Sequence, residues 1–434
     1  MSTPFQRTFV AIFACLVLAP VSWADELPRG DAKAAGFSKE GLDRIPAFLK
    51  EAVAKKQIAG ASALIARHGK VVHVSTAGMQ DLEGKVPITE ATIFRIASMS
   101  KPITSVAVMI LVDEGKLKVT DPLSKFVPEF KNMKVAVQSK DGTTFETVAA
   151  KREITIHDLL THSSGITYGL LNKPIVSKIY ADAKINDGLM ESSGTIGDNV
   201  KQLAKLPLCC QPGAAWEYGL NTDVLGYVVE VASGKTLDEF LRERLFKLLK
   251  MNDTHFMLPK DKRSRLSGLY TVGPDKNLAR FGETLFALGA MRVSATYPTK
   301  DDGKYYSGGA GLVSTLGDYF RFSQMLLNKG ELGGTRILKA ETVAEMTKNQ
   351  LGELRISFPG HDLMGYGFGV LSEKGKEVGK ELAAAGAYSW GGAFGTNFWI
   401  DPKNDLVGVF MIQSFPPDFT LATEFKKLTY EAMK

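Results

Sequence analysis

The chain has 434 residues, of which 44% are hydrophobic and 23% are charged, a composition typical of a globular protein with a large apolar core. Its 53 basic and 47 acidic residues give a formal net charge of +6, and the basic residues are scattered singly or in pairs. Because nucleic-acid binding needs a clustered basic surface, this charge pattern argues against a nucleic-acid partner.

Residues 1–24 predict a secretory signal peptide. Arg7 precedes a short apolar run, which is interrupted by Pro20 and ends in the small-x-small cleavage pattern Ser22-Trp23-Ala24. The run is too short for a spanning helix, and no later segment of the sequence is long and apolar enough to span a bilayer. We therefore expect an exported protein, periplasmic or secreted, without stable membrane insertion. The mature chain would be residues 25–434.

Strands are predicted near both ends of this mature chain. Residues 61–78 contain two β-rich runs joined at His68-Gly69-Lys70, which predicts a hairpin. The apolar runs on either side of the turn at residues 401–405 predict a second hairpin. Residues 100–117 have the spacing of a buried helix that ends at Gly115, and residues 421–434 have that of an amphipathic helix.

The middle of the chain, roughly residues 160–300, is richer in helical patterns and loops. Residues 224–234 and 236–249 are examples of helical stretches there. The whole pattern predicts a mixed α/β (α+β) fold. In it, an antiparallel sheet built from both ends of one domain is flanked by helices and carries an inserted, mainly helical subdomain.

The segment Ser98-Met99-Ser100-Lys101 is followed by Pro102, which is tolerated in the first turn of a helix. Residues three apart share a helix face, so Ser98 can meet Lys101 while Ser100 points elsewhere. A serine becomes a nucleophile when a base takes its proton, and a lysine that burial keeps neutral can be that base. Ser98 is therefore the candidate nucleophile and Lys101 its base. A helix cap followed by a solvated lysine is the alternative.

Longer segments around this motif resemble the serine β-lactamase and penicillin-binding-protein superfamily, whose first motif is S-x-x-K. Within it, the chain is most similar to the branch that holds class C β-lactamases, D-aminopeptidase-type hydrolases and family VIII carboxylesterases. The resemblance implies a β-lactamase/transpeptidase-like fold and an acyl-enzyme on serine. The similar segments cover nearly all of the mature chain in the expected order: GMQDLEGKVPITEATIFRIASMSKPITS, LVDEGKLKVTDPLSKFVPEF, ITIHDLLTHSSGI, QPGAAWEYGLNTDVLGYVVE, GGAGLVSTLGDYFRF, GYGFGV and YSWGGAFGTNFWIDP.

The second motif of this superfamily, Y-x-N, falls on Tyr218-Gly219-Leu220. The resemblance implies that Tyr218 works with Lys101 in proton transfer, the alternative being a packed aromatic side chain in a loop. Leu220 stands where the family has asparagine, and Asn221 comes one position late. In the family that amide helps to hold the acylamide side chain of β-lactams. Its absence favours an esterase over a lactamase.

The third motif falls on Trp390-Gly391-Gly392, which Ala393 follows. Small residues let a strand approach the substrate closely, and these three positions are the predicted substrate-binding residues. The resemblance implies that the N–H groups of Ser98 and Ala393 form an oxyanion hole. Trp390 replaces a cation with an aromatic surface, as in family VIII esterases, which favours an apolar acyl or alcohol group. Core packing is the alternative for this tryptophan.

The other candidate residues predict no further chemistry. His162 is interpreted as a structural hydrogen-bonding residue, because no G-x-S-x-G elbow accompanies it. None of the six histidines lies in H-E-x-x-H and no C-x-x-C pair is present, so we expect neither a metal nor a cofactor. The adjacent Cys209 and Cys210 are interpreted as two buried small hydrophobic residues, with a strained vicinal disulfide as the alternative.

These observations predict an exported serine hydrolase that cleaves small carboxylic esters through an acyl-enzyme on Ser98. The alternatives within enzymes are a β-lactamase, a D-aminopeptidase or D-alanyl-carboxypeptidase-type amide hydrolase, and an acyltransferase that uses the same residues. A non-catalytic penicillin-recognising sensor is the alternative from another class. The presence of Ser98, Lys101 and Tyr218 together argues against it, because a sensor has no chemical need for all three.

Overall fold

The computed structural model describes residues 27–139, 144–169, 174–273, 277–282, 286–288, 291–356 and 361–434. The predicted signal peptide lies outside these residues, so export stays a prediction. Within the described ranges, no helix combines the length and the apolar character needed to cross a membrane.

An eight-stranded sheet, counted over the described residues, joins the two ends of the chain. Its strands are β1 Gly60–Arg67, β2 Lys70–Asp81, β3 Val86–Pro87, β4 Leu363–Met364, β5 Gly369–Val370, β6 Tyr388–Gly391, β7 Asn397–Asp401 and β8 Leu406–Ile412. The order is β4-β5-β6-β7-β8-β1-β2-β3 and neighbours are antiparallel. β1 pairs with β8, and Ala61 lies opposite Ile412. Both predicted hairpins, β1–β2 and β7–β8, are confirmed.

Helices flank this sheet on both faces. They are α1 Lys39–Ala54, α2 Ser100–Asp113, α3 Ile156–Leu160, α4 Pro174–Asp182, α5 Ile196–Leu203, α6 Asn221–Ser233, α7 Leu237–Leu241, α8 Leu316–Leu327, α9 Ala340–Met346, α10 Glu373–Gly379 and α11 Phe419–Ala432. Side chains alternate between the faces of a strand. Ile65 of β1 therefore packs in a cluster with residues of α1 and α11, whereas Leu64 packs in the larger core that contains α2 and α8.

The predicted helices at both ends of the chain are present. α2 is buried along nearly its whole length, and Gly115 follows it with a φ of +71°, a backbone conformation that suits glycine. α11 corresponds to the predicted amphipathic helix, and it buries Phe425 and Leu428 on one side.

The middle of the chain contains α4 to α7, a π-helical turn at Arg242–Phe246, and short hairpins that the sequence patterns did not predict. The hairpins pair Tyr270–Val272 with Leu278–Arg280 and Phe286–Leu288 with Met291–Val293. The extent of an inserted subdomain over residues 160–300 stays a prediction. The remaining strand pairs are Phe94–Arg95 with Val313–Ser314, Lys134–Gln138 with Phe145–Ala149, and Glu331–Leu332 with Thr335–Arg336. The 3₁₀ turns are Ala97–Met99, Leu123–Lys125, Pro128–Phe130, Lys260–Arg265 and Tyr297–Thr299.

Asp318, in the first turn of α8, is a buried carboxylate. Its Oδ2 accepts hydrogen bonds from the N–H of Asp253 at 2.8 Å and from Thr254 Oγ1 at 2.9 Å. Burial outweighs these bonds and raises the pKa of Asp318 to about 7. The folded protein therefore keeps a proton that the unfolded chain releases near pH 4. Through this group, stability falls as the pH rises from about 4 to 7.

Asp318→Asn should remove this contribution, because the amide cannot ionise. Between pH 5 and pH 7, the free energy of unfolding should fall by roughly 2 kcal/mol more in the wild type than in the variant. Urea unfolding of both proteins at both pH values measures this difference. The same pH dependence in the two proteins would contradict the assignment.

Candidate active site

Ser98 lies in the 3₁₀ turn that leads directly into α2. The preceding residue, Ala97, is buried and has a φ of +41°, in the left-handed region that non-glycine residues rarely occupy. Met99 and Ser100 are also buried, whereas Ser98 is half-buried. Strained backbone of this kind persists where the surrounding structure holds it in place. The turn thus exposes one serine side chain at the start of a buried helix.

The structure brings Ser98 together with Lys101 and Tyr218. Lys101 Nζ lies 3.1 Å from Ser98 Oγ, as the helical spacing predicts, and the Tyr218 hydroxyl donates to the same oxygen at 2.9 Å. Ser98 Oγ therefore contacts two groups that can accept or donate a proton.

Ser100 points away from this cluster, as predicted. It is buried, and its Oγ accepts a hydrogen bond from the N–H of Leu312 at 3.1 Å. Ser100 thus ties α2 to the strand that precedes α8. The two serines of the motif have different positions: Ser98 is half-buried beside Lys101 and Tyr218, and Ser100 lies in the core.

Lys101 is a buried lysine with only 1% of its surface exposed. Besides Ser98, its Nζ contacts the hydroxyl of Tyr168 at 3.1 Å and the carbonyl oxygen of Gly309 at 2.8 Å. An ammonium group would donate to all three oxygens. A neutral amine would donate to Tyr168 and Gly309 and keep its lone pair for the proton of Ser98. Lys101 Nζ is thus held by three oxygen atoms, one of which is the Oγ of the candidate nucleophile.

Tyr168 and Asp223 belong to this environment, and sequence analysis missed both. Asp223 is buried, and its Oδ1 accepts a hydrogen bond from Ser307 Oγ at 2.6 Å. Burial raises the pKa of Asp223 to about 6, although the bond from Ser307 and the charge of Lys101 act in the opposite direction. Asp223 thus lies near enough to Lys101 for their charges to interact. An acidic residue in the first turn of a mostly apolar helical stretch is the sequence signal that could have identified it.

The Tyr218 ring is held by other aromatic rings. Its centroid lies 5.9 Å from Trp216 in a stacked arrangement, 5.5 Å from Tyr168 and 5.7 Å from Trp390. Aromatic rings at these separations attract one another beyond simple burial. The packing fixes where the Tyr218 hydroxyl points.

Trp390 is almost fully buried, with 1% of its surface exposed. It stacks on His361 with ring centroids 5.3 Å apart, and its ring centroid lies 5.7 Å from that of Tyr218. The structure thus packs Trp390 in the core, which was the alternative in the sequence analysis. A direct contact between Trp390 and substrate stays a prediction.

The end of β6 lies close to the turn that carries Ser98. A Cβ atom at Gly392 would collide with the carbonyl oxygen of Ile96 and with Thr396 Oγ1, so this close approach requires glycine. Ala393 packs against the apolar cluster that contains Ala97. In the described part of the chain, the backbone hydrogen bonds that tie this region together do not use the N–H groups of Ser98 and Ala393.

The late asparagine does not replace the missing amide of the second motif. Asn221 is fully buried at the start of α6, where its side chain donates to His162 Nδ1 at 2.9 Å and also bonds to Ser164. Leu220, which occupies the motif position, packs in the core. Both side chains are therefore engaged inside the protein.

His162 has the structural position that the sequence predicted. Its carbonyl oxygen accepts a hydrogen bond from the N–H of Glu217 at 2.7 Å, and its ring lies 5.0 Å from the ring of Tyr218. Burial, together with the charge of Lys101, holds the pKa of His162 well below its usual range. The neutral ring supports the Tyr218 loop and makes no contact with Ser98 among the described hydrogen bonds.

Cys209 and Cys210 are free, as in the preferred interpretation, and no disulfide joins them. The expectation that both are buried is wrong, because both are half-buried. They lie on the loop that leads to Tyr218 rather than inside the apolar core.

A family model described as "Beta-lactamase" matches residues 45–431. The chain belongs to the beta-lactamase family. Similar members include Protein Rv1367c of Mycobacterium tuberculosis, which is 34% identical over 384 residues, covering 86% of this chain and 90% of the relative. Esterase EstB of Burkholderia gladioli is 31% identical over 369 residues, covering 82% of this chain and 86% of EstB.

A solved structure supports the same assignment. "EstCE1, a hydrolase with promiscuous acyltransferase activity" superimposes with a TM-score of 0.78 at 26% identity, covering 90% of this chain and 99% of EstCE1. These comparisons confirm the predicted β-lactamase/transpeptidase-like fold, and with it a serine hydrolase of the beta-lactamase family.

Gly392→Ala should separate the end of β6 from the turn that carries Ser98. Because a misplacement of about 1 Å in an active site can cost 100-fold in rate, kcat for hydrolysis should fall by about 10- to 100-fold. Gly379→Ala is the matched control, since its Cβ meets only the side chain of Glu381. Full activity in Gly392→Ala would contradict the requirement for close approach.

Tyr218→Phe should keep the ring packing and remove only the hydroxyl that contacts Ser98. Loss of a positioned proton-transfer group lowers kcat by about 10²- to 10⁴-fold. Tyr430→Phe is a suitable control, because its hydroxyl bonds to Asp401 from α11, on the opposite face of the sheet. The measurement is the steady-state kcat of the wild type, Tyr218→Phe and Tyr430→Phe. An unchanged kcat in Tyr218→Phe would exclude a role of its hydroxyl in proton transfer.

Proposed function

We propose that this protein is an esterase that cleaves small carboxylic esters through an acyl-enzyme on Ser98. One observation carries the proposal: Ser98 Oγ is contacted by Lys101 Nζ at 3.1 Å and by the Tyr218 hydroxyl at 2.9 Å. A nucleophile that contacts both a buried amine and a phenol has the groups needed to lose its proton and to protonate a leaving group.

In the acylation step, Ser98 Oγ attacks the ester carbonyl carbon, and the carbonyl electron pair moves onto its oxygen. Neutral Lys101 takes the serine proton through its lone pair while its two N–H bonds donate to Tyr168 and Gly309. The N–H groups of Ser98 and Ala393 stabilise the oxyanion. The tetrahedral intermediate then collapses and breaks the bond to the alcohol oxygen.

The leaving alkoxide takes the proton of Tyr218, which recovers a proton from Lys101, so both groups return to their starting states. Water then attacks the acyl carbon and gives one proton to the same pair. Collapse of the second intermediate releases the carboxylic acid, and the serine oxygen regains its proton. One ester and one water give one acid and one alcohol.

The preference for esters over β-lactams rests on the second motif. Leu220 packs in the core and the Asn221 amide is bonded to His162, so neither residue offers the amide that would hold an acylamide side chain. Trp390 offers no charge to a substrate carboxylate. The similarity to Esterase EstB supports the same choice.

Acyl transfer is a second candidate function, because EstCE1 is described as a hydrolase with promiscuous acyltransferase activity. The chemistry differs only in the second step, in which an alcohol takes the place of water. We also propose that residues 1–24 direct export, on the basis of their cleavage pattern.

Ser98→Ala should abolish release of p-nitrophenol from p-nitrophenyl butyrate, lowering kcat by at least about 1,000-fold, because no other group can form the acyl-enzyme. Ser100→Ala is the matched control, since it alters a serine two positions away whose Oγ accepts a hydrogen bond from Leu312 in the core. It should keep kcat within a few-fold of the wild type.

Undiminished hydrolysis by Ser98→Ala would refute the mechanism. Turnover of a chromogenic cephalosporin with a higher kcat/KM than that of the ester would instead favour an amide hydrolase. A rise in butyl butyrate relative to butyrate when butanol is added would identify acyl transfer.

A further inference from the structure

The loop Cys209–Glu217 folds back so that its two ends meet. One oxygen of the Glu217 carboxylate and the Sγ atoms of Cys209 and Cys210 all lie within 4.8 Å of one another. All three residues are half-buried. Among the described residues, this is the one group of three or more such side chains with ligand atoms close enough to share a metal ion.

Backbone hydrogen bonds hold this arrangement from both ends. The N–H groups of Cys209, Gly213 and Glu217 donate to the carbonyl oxygens of Gly165, Ser163 and His162 at 2.8, 2.7 and 2.7 Å, respectively. Gly165 has a φ of +86°, and a Cβ there would collide with the carbonyl oxygen of Cys210. The loop is therefore docked on residues 162–165 along its whole length, and the ligand atoms are brought together before any ion arrives.

The donor set selects the type of ion. Two thiolates and one carboxylate suit a borderline-soft divalent cation such as Zn²⁺, whereas Mg²⁺ and Ca²⁺ prefer oxygen ligands alone. Tetrahedral zinc with bonds of about 2.3 Å to sulfur needs ligand atoms somewhat less than 4 Å apart. The present spread of up to 4.8 Å is wider than this, so binding would require the side chains to rotate toward one another.

We propose that Cys209, Cys210 and Glu217 form a Zn²⁺ site that is separate from the catalytic groups. The ion would replace the thiol protons, bridge the two ends of the loop and leave a fourth position for water. Because Glu217 directly precedes Tyr218, the bound ion would clamp the loop that positions this tyrosine. The inference is independent of the substrate on which Ser98 acts.

Zinc binding is best tested on the mature protein without a polyhistidine tag, reduced with a phosphine and stripped of metal. Equilibrium dialysis against Zn²⁺ should give one bound ion per chain. Cys210→Ser should abolish this binding. Glu217→Gln should weaken it by about tenfold or more, since even the outer partners of a metal ligand contribute about 10- to 100-fold. Both variants leave the packing of Cys209 against the core in place.

Two further measurements make the result specific. Cd²⁺ should give an ultraviolet thiolate-to-metal charge-transfer band in the wild type but not in Cys210→Ser. Zn²⁺ should raise the Tm of the wild type more than that of Glu217→Gln, because an ion that binds only the folded loop stabilises it. Glu377→Gln, which alters an exposed carboxylate on α10, is the control and should behave as the wild type does.

Absence of bound Zn²⁺ in the reduced, folded wild type would overturn the proposal. Equal binding by the wild type, Cys210→Ser and Glu217→Gln would also overturn it, because the ion would then lie elsewhere. Since these readouts do not involve catalysis, failure of the zinc site and failure of the esterase proposal can be told apart.

Discussion

The burial of Lys101 is the constraint on which the site depends. An amine inside a protein core must have oxygen partners for its N–H groups, because an unpaired polar group there costs several kcal/mol. Ser98, Tyr168 and Gly309 supply these partners from three separate parts of the chain. The lysine therefore fixes the turn before α2, the loop after α3 and the segment before α8 relative to one another.

A second set of contacts positions Tyr218. Its hydroxyl and Lys101 Nζ meet at the same atom, Ser98 Oγ. The loop that carries it is bonded along its length to residues 162–165, and Asn221 joins the same segment through His162 and Ser164. His162 thus supports the loop that carries Tyr218. Hydrogen-bonded polar groups of this kind help to make a core rigid, which is what a reaction centre requires.

Much of this arrangement could be predicted where the determining interactions are local. The i, i+3 spacing of Ser98 and Lys101 follows from helix geometry, and Gly115 marks the end of α2 because it adopts a left-handed conformation. The resemblance of the residues around Tyr218 and Ala393 to a known family identified these two residues as further candidates for the site.

Tyr168 and Asp223 could not be placed in the same way, because only tertiary packing brings them to the lysine. The three-residue strands in the middle of the chain are too short to show a repeating pattern. For Trp390, the sequence motif was evident, but only the fold shows that the side chain is almost fully buried and packs against Tyr218 and His361.

The central claim is that Ser98 is the residue that becomes acylated. The most direct test is to mix the protein with p-nitrophenyl butyrate, quench with acid within the first turnovers and determine the mass of the intact chain and of its peptides. The account predicts a gain of one butyryl group on the peptide that contains Ser98, with Ser98 itself as the modified residue. A butyryl group on another side chain, or rapid ester turnover with no adduct at the earliest times, would contradict it.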